Sequence, residues 1–148
     1  MDDLTVDIEK TIHAPIERVF DAWLDPELLS RFMLPMAGMK NPRVTCDPRQ
    51  GGDFEILMFV GENEVPHTGS YLKVDRPHKL AFSWVSPASR DDSVVTLTFS
   101  ATGEQETHVH LRHVKFFDEG RRADHEGGWT HILETLAATM VPAASDAA

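Results

Sequence analysis

Two imidazoles and one phenol are the side chains best placed for proton chemistry in this sequence. His113 shares strand parity with Val109 and Leu111, so it looks inward. His125 stands four residues before Trp129 and seven before Ile132, on the stripe of a helix that faces a sheet. Two neutral imidazoles beside a cavity could hydrogen-bond a ligand or move a proton near pH 7. Each could equally be a core histidine bonded to a backbone carbonyl. Tyr71, the single tyrosine, either offers its hydroxyl to a pocket or caps the sheet edge.

Eight histidines in 148 residues raise the question of a metal. His108 and His110 lie two apart on one strand face and could both reach one ion, whereas His113 points to the other face. Zinc needs three or four ligands, and no Cys/His pair with zinc-like spacing supplies the rest. No metal and no cofactor is expected. Nucleophilic catalysis has little support: there is no G-x-S-x-G, and Cys46 has no histidine near it in sequence. Neither Gly51-Gly52 nor Gly127-Gly128 stands in a phosphate-cradling frame.

The elements that must position these groups are mostly strands. Leu4 to Ile12 alternates as a first strand, and Ala14-Pro15 ends it and opens a helix. Ile16, Val19, Phe20, Trp23 and Leu24 form that helix's stripe. Asp25-Pro26 breaks it and caps a short second helix through Leu28, Leu29, Phe32 and Met33. A methionine-rich irregular stretch follows (Met33, Met36, Met39), a gap-filler for the core or an adaptable lip on a pocket.

From Arg43 the pattern is strands joined by short turns: Arg43–Asp47, Asp53–Val60, Glu64–Val74, Lys79–Val85, Ser93–Ala101 and Glu106–Lys115. Short connections make this an antiparallel meander. Phe54, Ile56 and Met58 fall on one face, and Leu57 and Phe59 on the other. Leu80, Phe82 and Trp84 are in register on the fifth strand.

The last long stretch, Asp118 to Met140, is an amphipathic helix with Trp129, Ile132, Leu133, Leu136, Ala137 and Met140 at three-and-four spacing. Asp118 is the expected N-cap and Pro142 the stop. Such a helix is about 33 Å long and crosses a whole small domain. Gly127-Gly128 interrupts it at a cost of about 1 kcal/mol per glycine. Either the helix starts at Trp129, or it is continuous and the side chains vanish where something must come close.

The length fits one domain, 1–141, followed by a small, polar, flexible tail at 142–148. Composition is that of an ordinary soluble protein, 41% hydrophobic and 26% charged. A formal net charge of −10 argues against nucleic acid and anionic membranes as partners. A lone cysteine and no membrane-length apolar run point to the cytoplasm. The apolar pair Leu57 and Phe59 on the outer sheet face leads us to expect a weak homodimer.

The order and wording of the chain resemble the activator-of-Hsp90-ATPase-like (AHSA1-like) branch of the START/Bet v 1 (SRPBCC) superfamily. The resemblance runs from Val6 to Met140. Ile12-His13-Ala14-Pro15-Ile16-Glu17-Arg18-Val19-Phe20-Asp21-Ala22-Trp23 and Asp25-Pro26-Glu27 look like its opening signature. Gly69-Ser70-Tyr71 with Arg76-Pro77-His78-Lys79-Leu80-Ala81-Phe82-Ser83-Trp84 is similar to its central hairpin. Ser93-Val94-Val95-Thr96-Leu97-Thr98-Phe99 and Leu111-Arg112-His113 resemble its last two strands, and His125-Glu126-Gly127-Gly128-Trp129 its closing helix. Many relatives carry a tryptophan-rich patch ending in glycine-proline, where this chain has Arg31-Phe32-Met33-Leu34-Pro35.

The resemblance implies an α+β helix-grip fold: a curved antiparallel sheet of about seven strands around a long C-terminal helix, with two short helices after strand 1. It also implies a cavity between sheet and C-terminal helix, beside Gly128. The expected occupant is a small, mostly hydrophobic molecule, because the inward set Phe54, Ile56, Met58, Phe82, Trp84, Phe99 and Trp129 is apolar. Phe32, Met36, Tyr71, His113 and His125 complete the candidate site. Two other readings stand beside this one. An enzyme of polyketide-cyclase or dehydratase type would need His113, His125 or Tyr71 to converge as acid and base. The third reading is a co-chaperone-like partner of Hsp90.

Overall fold

The computed structural model of the protein describes residues 5–34, 38, 40–85, 93–114 and 119–140. Several sequence readings lie outside them: Leu4, Met36, Met39, Lys115, the Asp118 cap, the Pro142 stop and the tail.

Among the described residues ten elements follow in order: β1 Thr5–Ile12, α1 Ile16–Ala22, α2 Pro26–Phe32, β2 Arg43–Cys46, β3 Asp53–Val60, β4 Asn63–Asp75, β5 Lys79–Ser83, β6 Val94–Gly103, β7 Glu106–Val114 and α3 Glu119–Thr139. The strands form one seven-stranded sheet in the order β1-β7-β6-β5-β4-β3-β2, each ladder antiparallel. This is the helix-grip α+β arrangement. Strands β2 to β7 form a meander in which each pairs with the next in sequence. Only β1, set apart by α1 and α2, must cross to the far edge, where it pairs with β7.

Burial follows strand parity. On β3, Phe54, Ile56 and Met58 are buried, while Leu57 and Phe59 lie half-buried on the outer face. There the Lys40 ammonium sits over the Phe59 ring, 4.9 Å from its centre, and covers part of that surface. Across the other half of the sheet, Leu80, Val95, Leu97, Phe99, Val109 and Leu111 supply the inner face.

Helix α1 begins after Pro15, whose missing N–H removes a donor that a first turn leaves unbonded in any case. The Asp25 carboxylate caps α2, accepting from the Glu27 and Leu28 amides at 2.9 and 3.3 Å. One corner is pinned by Thr107, whose buried hydroxyl donates to the Ala14 carbonyl at 2.8 Å. A paired Arg76–Asp21 fork at 2.8 and 2.9 Å ties the turn after β4 to α1. Gly69 is a close-approach glycine: a Cβ there would collide with the Ser83 carbonyl and the Phe54 ring.

Helix α3 runs unbroken through Gly127 and Gly128, so the continuous reading holds. It packs against β1 and α2. Trp129, Ile132, Leu133, Leu136 and Met140 are buried along one stripe. Gly127 faces solvent, where an added Cβ would meet nothing within 4 Å, and Gly128 is half-buried.

Candidate ligand-binding site

The concave face of the sheet holds two aromatic groupings that meet at Trp84. The first surrounds a small cavity lined by Trp23, Leu29, Met33, Phe54, Ile56, Tyr71, Phe82 and Trp84. Its roof is the end of α1 with α2, and its floor is β3, β4, β5 and the residue just after β5. The space open to a water-sized molecule is about 10 Å³. Side chains fill the remainder: Phe54 meets Tyr71 at 5.3 Å, Phe82 at 5.4 Å and Trp84 at 6.3 Å between ring centres.

The cavity therefore lies under α1 and α2, with no α3 residue in its wall. Trp129, next to Gly128 where the sequence places the cavity, is buried with its indole against the sheet. That ring reaches Trp84 at 5.0 Å and Trp23 at 6.5 Å and backs the cavity from behind.

Of the sequence candidates, Phe54, Ile56, Tyr71 and Trp84 line the cavity. Phe32 is buried against Trp23, their ring centres 5.0 Å apart, and Met58 and Phe99 are core residues elsewhere on the inner face. His113, His125, Gly128 and Trp129 belong to the second grouping. Phe82 of the inward set and Met33 of the methionine-rich stretch line it too, and Trp23 and Leu29 line it without having been singled out as site candidates. Trp23 carried a signal, since it ends the α1 stripe just before the Asp25 cap and must look into whatever space α2 encloses.

The second grouping is histidine-rich. The Trp129 indole N–H donates to His113 Nδ1 at 3.0 Å, fully inside the protein. This bond requires an unprotonated Nδ1, so the Nε2–H tautomer is the one present. Burial, with a smaller contribution from His125 nearby, pulls the His113 pKa down to about 3. His125 stacks edge-on to it at 5.3 Å. A third imidazole, His67 on β4, lies 5.1 Å from Trp84, and burial lowers its pKa to about 4. Sequence reading missed His67, since β4 lacks clean alternation. The hairpin register supplies the signal: Val60 pairs with Asn63, so His67 falls opposite the inward Ile56.

Tyr71, on the cavity wall, lies near Cys46, whose thiol donates to the Leu24 carbonyl at 3.5 Å. Burial, then the nearby Cys46, raises the Tyr71 pKa, and burial raises that of Cys46, so both stay protonated at neutral pH. Trp23 differs: its Nε1 is buried with no hydrogen-bond partner among the described residues. An unbonded buried donor costs about 1–3 kcal/mol.

His108 and His110, on the outer face, bond to Glu9 at 2.9 Å and Asp7 at 3.0 Å rather than to each other's neighbourhood. Among the described residues no cluster of three or more His, Cys, Asp or Glu side chains could hold a metal ion. None of the described helices is long and apolar enough to cross a membrane.

Comparison with known proteins agrees with the fold. CalU16 from Micromonospora echinospora matches with a TM-score of 0.69 and 27% identity, covering 90% of this chain and 71% of that one. Protein CV1439 from Chromobacterium violaceum gives 0.78 and 23%, covering 93% and 98%. An HSP90 activator from Plasmodium falciparum gives 0.74 and 22%, covering 92% and 95%. No curated protein matches the sequence. The family model described as activator of Hsp90 ATPase homolog 1-like protein matches residues 13–141, most of the chain. With the sheet order and the α3 placement in agreement, the chain belongs to the activator of Hsp90 ATPase homolog 1-like family.

Proposed function

We propose that the protein binds a small, mostly apolar molecule in the cavity between α1–α2 and strands β3–β5. The observation that carries this reading is the character of the wall: five of its eight residues are aromatic and none is charged. The cavity is closed down to about 10 Å³, near the size of one water, so a ligand must push side chains aside. Leu29 and Met33 are the movable ones. They sit on and just after a helix of seven residues, and the Met33 side chain is unbranched with several rotatable bonds. The backbone beyond them is anchored, because Ser30 donates to the Pro42 carbonyl and His131 to the Leu34 carbonyl, at 2.8 and 2.7 Å.

The enzyme reading draws less from the geometry. His113 Nδ1 already accepts the Trp129 N–H, and neither His113 nor His125 lines the cavity. Tyr71 does line it, but burial raises its pKa and keeps the hydroxyl protonated at neutral pH, so it offers no base. The chaperone-partner reading has the family and a fold-level likeness behind it, and no particular residue.

Native mass spectrometry of freshly purified protein tests the proposal. The expected result is a fraction of chain carrying a small molecule that is released on denaturation. Bare chain in every preparation, with no response of tryptophan fluorescence to added apolar probes, would overturn it.

A further inference from the structure

We infer that the Trp23 indole N–H is the recognition group of this cavity, and that the ligand is a flat, uncharged ring compound carrying a hydrogen-bond acceptor such as a ketone oxygen. The inference rests on the cavity reading above and adds to it the chemistry of the occupant.

Three observations converge. Trp23 is 2% exposed and lines the cavity, and its Nε1 is buried without a partner among the described residues. Indole nitrogen is a donor only, so whatever satisfies it must present a lone pair. The wall's polar groups are few, the Trp84 indole N–H and the Tyr71 hydroxyl being the others.

A resident water makes two to four hydrogen bonds, while this wall offers two indole N–H groups and one hydroxyl among five aromatic rings. An acceptor on a ring compound needs one donor only. No charged residue lines the cavity to compensate an ionised ligand, which makes a neutral one the fit. The rings of Trp23, Phe54, Tyr71, Phe82 and Trp84 suit a flat partner that can lie offset or edge-on among them.

Indane and 1-indanone test this, being close in shape and differing by one carbonyl. Titration of the whole chain with each should give a dissociation constant for both. Trp23→Phe should weaken 1-indanone relative to indane by about tenfold, the value of one neutral hydrogen bond. In the parent protein, the Trp23 indole ¹H resonance should move downfield with 1-indanone and not with indane. That second readout holds even if Trp23→Phe does not fold. Equal binding of both probes to parent and variant, with no downfield shift, overturns the inference and leaves the cavity reading intact. Failure of both probes to bind the parent overturns the two together.

Discussion

The indole N–H of Trp129 and the Nδ1 of His113 meet at 3.0 Å in the interior, joining α3 to β7 through one neutral hydrogen bond. This bond fixes an unprotonated imidazole at the centre of the fold, and it makes folding sensitive to acid.

The sign is set by the lowered pKa. His113 titrates near 6.5 when unfolded and near 3 when folded, so below pH 6.5 the unfolded chain holds the extra proton. Stability is fully present above pH 6.5 and falls as pH drops toward 3. His67, lowered to about 4, adds a second contribution of the same sign. Between pH 7.5 and 4.5 the His113 share of the loss should be about 2–3 kcal/mol. Urea unfolding at the two values checks it, with His113→Phe expected to flatten the dependence. An equal slope in parent and variant would contradict the assignment.

Gly127→Ala should stabilise the protein. The residue lies inside α3 with open space where a Cβ would go, so the substitution gains helix propensity of about 1 kcal/mol without a clash. A rise in melting temperature of about 2–4 °C is expected for a chain of this size. A fall would mean that Gly127 has a role in packing which the structure does not show.

Much of this was legible in the sequence, for identifiable reasons. Strand alternation located β3, β5, β6 and β7 to within a residue or two, since one face of each is buried and the other is wet. The α3 stripe was equally plain, and its continuity through two glycines follows from packing on both sides of them. Which part of the concave face holds the cavity was not legible. It depends on how far the Trp129 ring reaches under α3, and spacing in a sequence carries no information on side-chain reach. His67 was hidden because β4 runs Asn63–Asp75 with Pro66 and Gly69 in it, and only pairing with β3 reveals its face.

Weak self-association through the outer face of β3 is an expectation that sedimentation equilibrium checks. Leu57 and Phe59 are half-buried there. A dimer seen only at high concentration, and lost in Leu57→Lys, is the expected outcome. A monomer at all accessible concentrations would contradict it.

The central claim is that an apolar molecule enters between α1–α2 and the sheet, on the far side of Trp84 from His113. Intermolecular nuclear Overhauser effects from bound 1-indanone to methyl-labelled protein test it most directly. Contacts to the methyl groups of Leu29, Met33 and Ile56 are the predicted result. Contacts confined to Leu133 and Leu136 beneath α3, or no contacts to any buried methyl group, would contradict it.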